Sequence, residues 1–324
     1  MKKSNNGCRI CNNSQDNQTY TAKEMMYGLR KEFDYFQCSN CNCLQIADFP
    51  ADMSLYYPDN YYSFEKYDGK KFKGFIGRFK RIQYASMLKE KSPLKGLMAS
   101  LSGSNDYNIF NGLGIHSKSK ILDVGCGNGK SFLNPLAEIG FNNVKGCDPF
   151  INESIEYDNG LSIAKSNIFE IEGKWDVITY HHSFEHIPNP LEHMKKVSEL
   201  LNPAGVCIIR IPTVSSYAWE HYGVNWVQLD APRHFFLHSA QSMKVLANHA
   251  ALELYKSIYD STHFQFTGSE KYLKGIPLSA PRPRGLKNML LRKIKKQGFK
   301  KKAKLLNHEN RGDQAAFFFR KTID

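Results

Sequence analysis

The sequence predicts an α/β fold: a seven-stranded, mostly parallel sheet with helices on both faces, preceded by a small module built on four cysteines. Three observations predict it. From Ser117 onward, short apolar runs alternate with stretches of helical period, the pattern of parallel strands joined by crossover helices. At Ile121–Gly129 an apolar run, broken only by Asp123, enters three glycines at alternate positions, which reads as strand, tight turn and helix start. Two CxxC pairs, Cys8/Cys11 and Cys38/Cys41, precede all of this.

Bulk properties set the class. The chain has 324 residues, 41% of them hydrophobic, which is ordinary for a globular protein and enough for one large domain or two smaller ones. No apolar run approaches the ~18 residues of a membrane span, and Met1–Asn5 leads into no apolar signal segment. A cytoplasmic protein is expected. The net charge of +13 is unevenly placed: Lys271–Lys304 holds 13 Lys and Arg and no acid, so the basic character belongs to one segment.

The CxxC pairs are separated by 26 residues. Each offers two thiolates along one edge of a tetrahedron, so together they can close a four-thiolate zinc site through Cys8, Cys11, Cys38 and Cys41. Tyr20, Phe33, Tyr35 and Phe36 between them suit the short strands of a zinc ribbon, and Cys43 reads as a spare thiol. Four protein ligands leave no open position, so the site is expected to be structural. Residues 1–48 are therefore assigned to a zinc ribbon. Residues 49–116 are read as a tyrosine-rich linker and a basic amphipathic helical segment with Phe72, Phe75, Ile76, Phe79 and Ile82 at helical spacing. Residues 117–324 form the main domain, with a basic insert at about 268–310.

Within that domain strands are expected at 120–124, 143–147, just before Ser166, and at 175–180, 206–211, 252–259 and 314–320, the last antiparallel. Helices are expected at about 129–139, 190–201 and 239–250. The glycine turn allows close backbone approach to a ligand, with N–H groups free at the helix start. Asp148 ends the second strand, 19 residues beyond Gly129, where a carboxylate can accept both ribose hydroxyls of a nucleoside lying over the turn.

Asp123-Val124-Gly125-Cys126-Gly127-Asn128-Gly129 resembles motif I of the class I S-adenosylmethionine (SAM) methyltransferases, and Glu185-His186-Ile187-Pro188-Asn189-Pro190 resembles a segment many of them carry after the fourth strand. The resemblance covers roughly 117–260 and 313–321. It implies a Rossmann-like fold and SAM bound by Asp123, Gly125, Cys126, Gly127, Gly129, Asp148, Pro149, Asn167, Ile168 and His181. Asn167 stands where the family often has an Asp for the adenine amino group, and Ile168 where a side chain packs on the adenine face. The end of the fourth strand, Tyr180-His181-His182-Ser183, faces the transferred methyl group in the family.

Methyl transfer to a hydroxyl needs an aligned nucleophile and a group to remove its proton. Histidine suits that work near neutral pH. His182 and His234 are the preferred bases, with His181 a third candidate; His186 reads as a loop or cap residue, and His182, Glu185 and His186 have a spacing that could also converge on a metal ion. His234 belongs to a Pro-x-His segment like that of sugar and small-molecule methyltransferases. A zinc ribbon before this fold resembles bacterial methyltransferases of sugar and cell-surface polysaccharide biosynthesis, which implies a saccharide acceptor, free or on a nucleotide or lipid carrier. Two alternatives are an RNA methyltransferase, which the zinc module also suits, and a non-catalytic SAM-binding protein. The basic insert reads as a disordered, solvated charge run or, since Leu286, Met289, Leu290 and Ile294 share a helical face flanked by bases, as a contact with an anionic membrane surface at the inner face, ahead of nucleic acid.

Overall fold

The computed structural model describes residues 3–4, 7–58, 67–88, 109–281 and 285–322. The N-terminal part contributes β1 (Lys3–Ser4), β2 (Asn17–Lys23), β3 (Glu32–Gln37), β4 (Leu44–Ile46) and helix α1 (Gly74–Leu88). The αβ alternation follows as β5 (Ile121–Val124), α2 (Leu133–Glu138), β6 (Val144–Cys147), β7 (Ile155–Glu156), β8 (Ser162–Ala164), β9 (Trp175–His181), α3 (Pro190–Leu200) and β10 (Leu201–Pro212). The chain ends with α4 (Tyr217–Tyr222), β11 (Phe236–Leu237), α5 (Ala240–His249), β12 (Leu252–Tyr259), α6 (Phe264–Leu273), α7 (Leu286–His308) and β13 (Gln314–Lys321).

The large sheet runs in the order β12-β13-β10-β9-β5-β6-β8-β7. Its centre, β10 through β8, is parallel; β13 inserts antiparallel between β10 and β12, as its sequence position after a long crossover predicts. The sheet thus has eight strands and not seven. The extra one, β7, is a two-residue strand that folds back antiparallel on the free edge of β8. Two residues are too few to carry a period in the sequence, and pairing an exposed edge is what selects them.

Strand alternation splits the core between two faces. Leu122, Val124, Ile178, Tyr180, Ile209, Phe317 and Phe319 pack under α3 and α5 with Met194, Val197, Met243 and Leu246. Ile121, Val144, Ile163, Val177, Ile208 and Phe318 pack on the other face with Leu133 and Leu136 of α2, and with Phe72 and Tyr84 of the α1 segment. Helices therefore cover both faces.

The helix after the glycine turn begins at Leu133, later than the expected 129. Gly127 and Gly129 hold φ of +55° and +66°, outside the helical region, and the Asn128 side chain accepts from the Lys130 N–H. The turn must finish before an α-helix can start. α1 also differs from its sequence pattern. Phe75, Ile76, Phe79 and Ile82 are exposed, and the helix buries Gly77, Gln83, Tyr84 and Ser86 instead. At Gly77 an added Cβ would lie 2.1 Å from the Phe72 carbonyl carbon, so the helix start leaves no room for a side chain there. The remainder of the expected 65–101 segment, 65–66 and 89–101, lies outside the described residues.

The N-terminal module is continuous with the main domain through hydrogen bonds. Its sheet, β1-β2-β3-β4-β11, is completed by Phe236–Leu237 from the loop after β10, with Phe236 paired to Gln45 and Leu237 to Leu44. Tyr35, Leu44 and Ile46 share a buried cluster with Trp219, Trp226, Leu237, Phe266, Ala303 and Leu306. The basic insert is α6, a connecting segment and the 23-residue α7. Its C-terminal half docks through Ala303 and Leu306, whereas Met289, Leu290, Leu291 and Ile294 of the other half are exposed. No helix among the described residues is long and apolar enough to cross a membrane.

Candidate active site

The glycine turn is built from three left-handed residues, Gly125, Gly127 and Gly129, and is stitched to the next strand by Gly125 N–H to Cys147 O at 2.8 Å. Asp148 accepts from the Gly127 N–H through Oδ2 and from the Phe150 N–H through Oδ1, both at 2.8 Å. Burial raises its pKa against the pull of those two donors. Its carboxylate is thus held at the mouth of the turn, where ribose hydroxyls would meet it. Asp123 lies beneath, 2% exposed, and takes the Thr179 hydroxyl at 2.8 Å. Burial lifts it to about 8, and it supports the turn from below. Cys126 Sγ packs over Gly146, where a Cβ would stand 2.4 Å from it.

The other predicted cofactor residues divide. Pro149 follows Asp148 at the exposed rim, beside Phe150, whose ring is 80% exposed. Phe150 was not singled out by the sequence; an aromatic two residues past Asp148 is the signal for it. Asn167 spends its side-chain oxygen on the Phe169 N–H, 2.8 Å, in a capping box with Glu170. Ile168 is fully buried among Leu122, Val124 and Cys147.

Ser183 joins the turn to the histidine segment. Its hydroxyl donates to Val124 O at 2.6 Å, and its Cβ sits 2.5 Å from where a Gly125 Cβ would be. The residues after β9 therefore lie directly on the turn. His182, at φ +53°, leaves the strand and brings Nδ1 within 3.5 Å of Glu185 Oε1, while Nε2 meets Arg210 Nη1 at 3.4 Å. Arg210 is itself tied to Asp260 at 2.6 Å. His181 does not join this group. Alternation along β9 turns it to the other face, its ring 4.0 Å from that of Phe132, and burial holds its pKa well below the usual range.

His234 arrives from the loop 226–238. Its Nδ1 bonds Gln228 O at 2.7 Å, and its Nε2 faces Glu185 Oε1 at 3.9 Å and Asp230 Oδ2 at 3.8 Å. Burial, then neighbouring His186, lowers it to about 4. His186 bonds Arg233 O through Nδ1 at 2.7 Å, approaches Tyr57 Oη at 3.3 Å and packs edge-on to His234. Glu185, wholly buried among these imidazoles, is drawn down to about 2: His182 and the other histidines outweigh the burial that would raise it.

Behind the cluster stands Arg233, fully buried, with Asp230 Oδ2 at 2.8 Å, Glu24 Oε1 at 3.3 Å and Tyr56 O at 3.3 Å. Glu24 belongs to the N-terminal module, where it also accepts the N–H groups of Tyr27, Gly28 and Leu29. Glu24 and Arg233 carry no motif, so their part in the site was invisible in the sequence. The tyrosine-rich arm therefore touches the site through Tyr56 and Tyr57; Tyr61 and Tyr62 lie outside the described residues.

Residues 97–257 match the family described as "Methyltransferase domain", and the turn, its acid and the histidine segment all fall inside that span. The chain carries a methyltransferase domain. No curated protein matches the sequence. Among solved structures, the chain is similar to the mitomycin 7-O-methyltransferase MmcR at 8% identity and a TM-score of 0.38, covering 76% of this chain and 55% of that one, so the methyltransferase spans about half of its length. A SAM-dependent methyltransferase from Archaeoglobus fulgidus aligns over 74% of this chain and 99% of its own, at 16% identity and a TM-score of 0.41. The mycolic acid cyclopropane synthase CmaA1, solved with S-adenosylhomocysteine, aligns over 64% and 80%, at 16% identity and a TM-score of 0.40.

The four-cysteine cluster lies elsewhere in the methyltransferase. The Sγ atoms of Cys8, Cys11, Cys38 and Cys41 lie within 4.8 Å of one another, with Cys8–Cys41 and Cys11–Cys38 at 3.5 Å. Tetrahedral thiolates at ~2.3 Å from a zinc ion would stand ~3.8 Å apart. Donors already point at the sulfurs: Gln45 Nε2 to Cys8 at 3.2 Å, and the Ile10 and Cys41 N–H groups to Cys8 and Cys38 at 3.4 and 3.5 Å. The residues present fit the ion. Cys43 is apart, against His238 at 3.8 Å.

Proposed function

We propose that this methyltransferase acts on a saccharide hydroxyl or carbon, free or on a nucleotide or lipid carrier, in sugar or surface-polysaccharide biosynthesis. SAM supplies the electrophilic methyl group. The glycine turn admits its nucleoside, Asp148 takes the ribose hydroxyls, and Phe150 offers an apolar ring beside them. The observation that carries the proposal is the contact of Ser183 with Gly125, which sets a cluster of three imidazoles and a carboxylate against the cofactor turn. Such a cluster suits a polyhydroxylated acceptor, since each hydroxyl both donates and accepts. His182 is the preferred base. Its side chain is 36% exposed and reachable by an acceptor, whereas that of His234 is 8% exposed. Glu185 beside it stabilises the imidazolium formed when the proton arrives.

Transfer of tritiated methyl groups to nucleotide sugars or lipid-linked glycans, with turnover lost and SAM binding kept in His182→Ala, is the expected result. Transfer to RNA alone would replace the acceptor class. SAM binding without transfer to any of them would leave a non-catalytic binder.

The four cysteines are proposed to hold one structural zinc, which would fix the edge strand that β11 joins. One equivalent of zinc by elemental analysis, lost in Cys38→Ser, tests this. A peripheral contact with anionic lipid is proposed for the exposed half of α7, where Met289, Leu290, Leu291 and Ile294 stand beside Arg292, Lys293, Lys295 and Lys296. Each base near such a surface adds ~1 kcal/mol. Co-sedimentation with phosphatidylglycerol vesicles but not with neutral ones is expected, and equal behaviour with both would refute the contact.

A further inference from the structure

We propose that Glu185, His186 and His234 hold a divalent cation beside the methyl-transfer site. One ligand atom from each lies within 4.8 Å of the others, all three buried or half-buried. Two independent features point to a ligand there. First, both carboxylate oxygens of Glu185 are buried, and neither makes a hydrogen bond of good geometry among the described residues. A wholly buried carboxylate in that condition is costly unless something binds it.

Second, the imidazoles are set as metal ligands are. His234 Nδ1 and His186 Nδ1 each stand 2.7 Å from a backbone carbonyl, Gln228 O and Arg233 O. A carbonyl only accepts, so both Nδ1 atoms carry the proton, and each Nε2 of a neutral ring is left with its lone pair. That second contact to a backbone carbonyl is how metal-binding histidines are oriented. For His234 the lone pair looks at two carboxylates, Glu185 at 3.9 Å and Asp230 at 3.8 Å. Three acceptors facing one another call for a positive charge between them.

Charge counting agrees. Glu24, Asp230 and Glu185 bring three negative charges into the buried cluster, and Arg233 brings one positive charge. With neutral histidines the surplus is two, the charge of one divalent ion. Two nitrogens and an oxygen suit a borderline cation such as Zn²⁺, Fe²⁺ or Co²⁺ better than Ca²⁺, with positions left for an acceptor hydroxyl. If the acceptor is a hydroxylated saccharide, such an ion would help that hydroxyl shed its proton. This role rests on the function proposed above; the metal site does not.

The test is titration of the full chain, holding one equivalent of zinc in its four-thiolate site, with Co²⁺, read by visible absorption and equilibrium dialysis, with SAM binding followed by calorimetry. One equivalent of Co²⁺ without thiolate charge-transfer bands is expected. Glu185→Gln and His234→Ala should weaken it by about 100-fold while keeping SAM affinity. His186→Asn, which preserves a donor at the Nδ1 position, serves if either variant fails to fold. Wild-type protein that binds SAM but takes up no such Co²⁺ overturns the proposal and leaves histidine protonation to balance the charge. Unweakened Co²⁺ binding in the folded variants also overturns it. Co²⁺ uptake with no SAM binding would instead sink the methyl-transfer function and leave the metal site standing.

Discussion

Replacing Arg233 with Met should cost the fold about 3–4 kcal/mol. The guanidinium is fully buried and serves two carboxylates and a carbonyl: Asp230, Glu24 and Tyr56 O. It also lies over the Tyr27 ring at 5.4 Å. Methionine fills much of the volume but strands two buried carboxylates, and breaking one partner of a buried pair costs ~3–5 kcal/mol. The lower part of that range applies because Glu24 keeps three backbone N–H donors, from Tyr27, Gly28 and Leu29. For a chain of this size each kcal/mol moves Tm by ~2–4 °C, so a fall of about 6–16 °C is expected. Urea unfolding followed by tryptophan fluorescence reads the change where it occurs, since Trp219 and Trp226 sit in the cluster that joins the module to the domain. Lys23→Met is the control: its bridge to Glu32 is 56% and 60% exposed, and its loss should stay within ~0.5 kcal/mol. A cost below ~1 kcal/mol for Arg233→Met would refute the view that this ion cluster fastens the N-terminal module to the active site.

Three further outcomes are expected. Asp148→Ala should weaken SAM binding by roughly 10- to 100-fold, the loss of about 1.4–2.8 kcal/mol of charge-assisted hydrogen bonding; unchanged calorimetric affinity would remove Asp148 from the ribose position. Gly125→Ala should abolish SAM binding, because its Cβ would meet Ser183 Cβ at 2.5 Å on a backbone at φ +71°. Adding Ser183→Gly should restore part of it, and no restoration would mean that backbone strain alone is responsible. Burial depresses His193 to about 4 and His238 to about 3. Both lie below the unfolded value of ~6.5, so the unfolded chain binds more protons and stability falls as pH drops below ~6.5, by up to ~1.4 kcal/mol per pH unit for each histidine. The urea midpoint should therefore decline between pH 7 and 5, and the His193→Asn, His238→Asn double variant should flatten that decline.

Much of the glycine turn and its neighbouring acid was legible along the chain. Three glycines at alternate positions permit a left-handed turn that most side chains forbid, and Asp148 at the next strand end fits parallel αβ geometry. β5, β9 and β13 announced themselves because burial on both faces demands continuous apolar runs. The paired CxxC motifs likewise placed four thiols together before any coordinate was known. The histidines were visible as residues but not as an arrangement. His181 and His182 are adjacent in sequence yet turn to opposite faces, and only the left-handed φ of His182 brings it to Glu185.

What the tertiary structure alone decided shares one physical cause. Periodicity reports what a segment prefers locally, whereas contacts between distant segments depend on which surfaces remain unsatisfied once the chain has closed. β7 exists because β8 had a free edge, and β11 because β4 had one. α1 turns Tyr84 into the cluster of Ile121, Phe132 and Leu133 and leaves Phe75, Ile76, Phe79 and Ile82 exposed. Arg233 and Glu24, 209 positions apart, meet as the N-terminal module closes over the loop that carries His234. The sequence by itself determined that a nucleotide-type turn and its acid would be present. The fold decided that the N-terminal module would reach, through Glu24 and Arg233, the loop that carries His234.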